Sequence, residues 1–155
     1  MDRAAKPRRI VAIASGGGHW VQLQRLRPAF EGCDVAYVSV YPDYADDLDG
    51  ARFYTVTDVS RVNLKQLLVI VPQFIAIMLR ERPDVVITTG SAPGLIGLAV
   101  ARLTTGAKTI WIDSIANCER LSSSGRQARR VAHQWLTQWP ELARPEGPHY
   151  WGAVL

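Results

Sequence analysis

The chain repeats one arrangement. A short, unbroken apolar run meets a glycine-rich or polar turn, and apolar residues at helical spacing follow. "RRIVAIAS" leads into "GGGH" and then "WVQLQRLRPAF", and "DVVITTG" leads into "APGLIGLAVARLT". "CDVAYVSV", "RFYTVTDV" and "KTIWIDS" read as further strands, and "WLTQWP" as a short final one. "NLKQLLVIVPQFIAIMLRERP" reads as a long helix with Asn63 as N-cap and Pro72 as a kink, and "GRQARRVAHQ" as a helix. Solid apolar runs of strand length suit strands buried on both faces. Their alternation with helices predicts an α/β fold: a Rossmann-like open parallel sheet with helices on both faces. With 155 residues and 48% hydrophobic content, one domain with a real core is expected. Residues 1–8 read as a flexible basic tail carrying Arg3, Lys6 and Arg8, with a contact to anionic lipid as the sharper alternative.

Ligands of such sheets sit outside the carboxyl ends of the strands. Three loops therefore face one crevice: "SGGGHW" (15–20), "TTGSAPG" (88–94) and "DSIANCERLSSSG" (113–125). Ser15, Gly16, Gly17 and Gly18 expose backbone N–H groups at a helix N-terminus, which suits a phosphate or another anion. A tight turn with close helix–sheet packing explains the same glycines. His19 meets the positive end of the helix dipole, which favours the neutral imidazole, and a neutral imidazole can take a proton from a hydroxyl. A loop-bonding role is its alternative. Thr89, Gly90 and Ser91 offer hydroxyls and close approach, while Asp113, Ser114 and Asn117 place polar groups at the end of a strand. Asp113 is either a catalytic or orienting carboxylate, or an N-capping or solvated one.

Several chemistries are excluded. There is no Gly-Lys-Ser/Thr of a Walker loop, no G-x-G-x-x-G, and no acidic residue ending the second strand to hold a ribose, so a nucleotide-dependent oxidoreductase does not fit. Cys33 and Cys118 lack zinc-ligand spacing and read as reduced thiols. Asp47 and Asp49 form a D-x-D inside "YPDYADDLDG", far from any glycine turn, and read as a solvated loop; no metal is predicted. The net charge of +4 suits a phosphate-bearing ligand or an anionic membrane surface.

"SGGGHWVQLQRL", "DVVITTGSAPG", "TIWIDSIANCERLSSSGRQAR" and "LTQWPEL…YWGAVL" together resemble the Alg-fourteen-like family, whose bacterial members include PssD-type capsule and exopolysaccharide proteins. The stretches span nearly the whole chain in the family's order. The family is similar to the acceptor-side domain of MurG. The resemblance implies one half of a GT-B glycosyltransferase, inactive alone, with a separate chain supplying the nucleotide-sugar half. It implies transfer from a UDP-sugar, as co-substrate and without a cofactor, to a polyprenyl-diphosphate-linked acceptor in polysaccharide biosynthesis. No nucleic-acid partner is expected. Gly16, Gly17, Gly18 and His19 match the family's glycine–histidine loop, Thr89, Gly90 and Ser91 its second loop, and Asp113 to Asn117 its third. The family's usual Glu is Asp113 here, one methylene shorter. Eukaryotic members carry an amino-terminal membrane helix that this sequence does not show. The expected location is therefore peripheral, on the cytoplasmic face of the inner membrane. Residues 67–79 are the candidate contact, with a core helix as the alternative. The rival to a catalytic subunit is a scaffold that docks a complete transferase. The carboxy-terminal aromatics Trp135, Trp139, Tyr150 and Trp151 are expected to pack on the partner half, or else on this domain.

Overall fold

A computed structural model describes residues 6–59 and 63–154. Seven strands form one sheet: β1 (Arg9–Ile13), β2 (Asp34–Ser39), β3 (Arg52–Thr55), β4 (Val85–Thr88), β5 (Lys108–Ile112), β6 (Gln134–Thr137) and β7 (His149–Tyr150). Every pairing is parallel, in the order β3-β2-β1-β4-β5-β6-β7. The order reverses between β1 and β4, the position at which open α/β sheets bind ligands. Val11 pairs with Val86 and Ile13 with Thr88, so the turns after these two strands emerge side by side.

Alternation along β1 builds two cores. Val11 and Ile13 face one side with Ile70, Phe74, Ile77 and Met78 of α2 (Leu64–Glu81), Ile96 and Leu98 of α3 (Ser91–Thr104), and Ala128 of α4 (Ser123–Ala128). Ile10, Ala12 and Ala14 face the other with Trp20 and Leu23 of α1 (Gly18–Arg25), Tyr37 and Leu48. Helices thus cover both faces, as the apolar runs require. α3 packs closely on the sheet: a Cβ on Gly97 would collide with Ile13 and Phe74.

Asn63 caps α2 as expected, its side-chain oxygen accepting from Gln66 N–H at 2.9 Å. Pro72 sits inside α2, which continues through it.

Other boundaries differ from expectation. The first helical run, expected to stop around Pro28, ends at Arg25, and a 3₁₀ turn covers Arg27–Phe30. The strand read over 52–59 stops at Thr55, and Asp58 and Val59 lie beyond the sheet's edge. α4 spans six residues, because residues beyond Ala128 turn back to the sheet, with His133 N–H bonded to Thr109 O. "WLTQWP" is not the last strand; β7 follows it on the outer edge. Of the basic tail, residues 1–5 lie outside the described residues, and Lys6, Pro7 and Arg8 are exposed.

Candidate functional site

The turns after β1 and β4 are tied reciprocally. His19 Nδ1 lies 2.9 Å from Thr89 O, and Thr89 Oγ1 donates to His19 O at 2.7 Å. A carbonyl only accepts, so Nδ1 carries the hydrogen. In the neutral ring the lone pair is then on Nε2, which has no hydrogen-bond partner among the described residues. Gly90 makes this placement possible. Its φ of 124° is one that side chains rarely adopt, and a Cβ there would come within 2.8 Å of the imidazole.

Neither α1 nor α3 has a side-chain cap, so first-turn N–H groups of both helices are left over at the switch point. The three glycines are not equivalent. Gly17 N–H donates to Tyr44 Oη at 3.0 Å, so that donor is already taken. The ring of Tyr41 fills the space a Gly16 side chain would need. The uncapped groups of the α1 first turn begin at Gly18. Beside them lies an open cleft of about 380 Å³. Ser15, Gly16 and Gly17 form one wall, Tyr41, Asp58 and Val59 a second, and Ser91 and Ala92 with Ser124 a third. Ser91 is held at φ 74°, and its hydroxyl oxygen is buried without a partner among the described residues. A strained residue with an unspent polar atom at a cleft is the pattern of a binding position. His19 lies outside this lining, on the α1 side of the second loop.

Asp113 behaves differently. It is 1% exposed and accepts four hydrogen bonds. Trp111 Nε1 and Ser122 Oγ donate to Oδ1, at 3.1 and 2.7 Å. Asn117 Nδ2 and Ser122 N–H donate to Oδ2, both at 3.1 Å. Ser122 in turn caps α4 through Gly125 N–H. The carboxylate therefore holds the third loop's own backbone rather than facing a ligand, and Asn117 is spent on it. Ser114 is buried too, and its hydroxyl accepts from Gln22 Nε2 at 3.2 Å. Of the residues read as a site, Ser15, Gly16, Gly17, Gly18, His19, Thr89, Gly90 and Ser91 come together at the switch point, while Asp113, Ser114 and Asn117 form a separate buried network.

Gln22 and Gln138 complete that network and escaped the sequence reading. Gln138 Nε2 donates to Gln22 Oε1 at 2.6 Å and to Asp113 O at 2.9 Å, and its Oε1 accepts from Val154 N–H at 2.8 Å. Asp58 was missed as well; its only signal is its place just after a strand. Asp47 and Asp49, read as solvated, lie in or beside a 3₁₀ turn, where Asp47 accepts from Trp20 Nε1 at 2.9 Å and Asp49 pairs with Arg27 at 3.6 Å. The aromatic tail divides. Trp135 and Trp139 donate to Gly125 O and Ile115 O within the domain, whereas Trp151 is 67% exposed.

No family model matches the chain. Among curated proteins, the UDP-N-acetylglucosamine transferase subunit ALG14 of Eremothecium gossypii is 23% identical over 181 residues, covering 96% of this chain and 81% of that protein. This chain is similar to that subunit over nearly its whole length. Among solved structures, MurG of Acinetobacter baumannii superposes with a TM-score of 0.69 at 18% identity, over 96% of this chain and 45% of that one. UDP-N-acetylglucosamine 2-epimerase of Rickettsia bellii gives 0.65 at 12% identity, over 88% and 40%. The chain thus spans less than half the length of the solved structures it matches, and its fold is that of one Rossmann-like half of a GT-B protein. A transferase and an epimerase share that fold, so the chemistry must be argued from the site.

Proposed function

We propose that this chain is the acceptor-binding subunit of a two-chain glycosyltransferase, completed by a separate chain that binds the nucleotide-sugar. The observation that carries this reading is the pair of uncapped helix N-termini at the switch point, beside a histidine whose Nε2 has no partner among the described residues. Likeness to a UDP-N-acetylglucosamine transferase subunit supports it. The acceptor is a saccharide on a polyprenyl diphosphate, and the donor a UDP-sugar. N–H groups and the dipole of α3 attract phosphate charge. His19 Nε2 takes the proton of the acceptor hydroxyl as its oxygen bonds to the anomeric carbon of the donor sugar. The bond from that carbon to UDP breaks, and UDP leaves with the electron pair. The Thr89 carbonyl holds the tautomer this requires and stabilises the ring once it is protonated. Asp113 positions the third loop.

The outer stripe of α2 supports a peripheral contact with the cytoplasmic membrane face. Leu64, Leu68 and Leu79 are 73%, 69% and 64% exposed, with Lys65, Arg80 and Arg82 around them. Among the described residues no helix is long and apolar enough to cross a membrane. The exposed Tyr150 and Trp151 are the surface assigned to the partner chain.

The test is sugar transfer by the reconstituted pair. His19→Ala should lower turnover by about 10²-fold or more while the pair still assembles. Unchanged turnover with intact assembly would refute catalysis by His19 and favour a scaffold that docks a complete transferase.

A further inference from the structure

A second cavity, of about 370 Å³, runs between α3 and α4. Leu95, Ile96, Ala99 and Val131 give it apolar walls, and Gln127 and Arg130 stand at its rim. Ala92 and Ser124 line both this groove and the switch-point cleft, so the two are continuous. The order along α3 is chemically specific. The uncapped first turn and the unpartnered Ser91 hydroxyl come first, and hydrocarbon walls begin within one helical turn. A ligand matching that order has an anionic group bonded directly to an apolar chain.

We infer that the α3–α4 groove binds the phosphate-proximal apolar chain of a prenyl diphosphate whose anion sits at the first turn of α3. The inference rests on the acceptor-binding reading and adds where the hydrocarbon goes. Each groove is of the size small-molecule sites take, about 300–1,000 Å³. The walls are supplied by a helix already fixed against the core, Ile96 being 9% exposed, so the groove exists before the ligand arrives. Prenyl carbons entering it leave water, and affinity then rises with chain length.

Titration calorimetry on the full chain with inorganic diphosphate, geranyl diphosphate and farnesyl diphosphate tests this. Farnesyl diphosphate should bind about tenfold or more tighter than the geranyl compound, and both tighter than inorganic diphosphate. Ala99→Trp, which fills the groove, should abolish the chain-length dependence and leave inorganic diphosphate within about twofold of the parent. Leu95→Gln, which makes one wall polar, should reduce the dependence and guards against misfolding of the bulkier variant. Equal affinities for all three ligands would overturn the groove and leave the anion site standing. A chain-length dependence untouched by either variant would place the hydrocarbon elsewhere and also overturn it. Failure of every ligand to bind would overturn groove and anion site together. Chain-length-dependent binding without sugar transfer by the reconstituted pair would retain the groove and refute the transferase reading.

Discussion

The loop after β4 and the loop after β5 leave adjacent strands at the same edge of the same sheet, yet they use their polar groups in opposite ways. In the β5 loop, Asp113 is buried with four donors around it, and Ser122, Asn117 and Ser114 are all bonded. In the β4 loop, Ser91 is held at φ 74° with an unpartnered hydroxyl, at the head of a helix with no side-chain cap. One loop has converted its polarity into stability. The other keeps polarity unspent, which costs stability and is retained where a ligand can complete it. A carboxylate on a strand end is therefore not evidence of catalysis until its partners are counted.

Removing polarity from the two loops should have opposite signs. Asp113→Ala strands Trp111 Nε1 and Ser122 N–H without an acceptor, and should cost about 3 kcal/mol or more, lowering Tm by roughly 6–12 °C. A smaller loss would show that the third loop does not depend on this carboxylate. Ser91→Gly relieves the backbone and deletes the orphan hydroxyl, so it should raise stability by about 1 kcal/mol while weakening acceptor affinity. Denaturant midpoints and KM for the acceptor read the two effects separately; lower stability in this variant would break the contrast.

The smallest effect comes from the far end of the sheet. His133 is held below its ordinary pKa of 6.5 by burial first, and then by Arg102 and Lys108. Its Nδ1 accepts from Thr109 N–H at 3.0 Å, so the neutral ring is the form the fold uses. The unfolded chain takes up a proton that the folded one resists. Stability should therefore decline gently as pH falls through about 6.5 and below. Urea midpoints across that range, flattened in His133→Gln, would check it. Because this group lies outside both loops, its titration should leave acceptor affinity unmoved.

The interior of the sheet was legible because β1, β2, β4 and β5 pack between two layers and carry long apolar runs. The edges were less so. β3 is exposed at both of its ends and β7 is only two residues long, so neither carries a strong pattern. At the site, the glycines and His19 stood out as a strand-to-helix turn. The role of Tyr44, which takes Gly17 N–H, did not, since it sits 27 residues away in a segment that reads as solvated. Gln22 and Gln138 are 116 residues apart, and no local pattern marks a glutamine for burial.

By itself the sequence determined the alternation of strand and helix, the side of the sheet on which the loops gather, and the glycine–histidine turn as the place to look. These follow from hydrophobic period and backbone permissiveness, which are local properties. Only the tertiary structure decided which polar groups remain free among the described residues: Nε2 of His19 and the Ser91 hydroxyl, but not Asp113 or Gly17 N–H. A hydrogen bond is spent or unspent according to what comes within about 3 Å of it, and that neighbour is set by the packing of segments far apart in the chain.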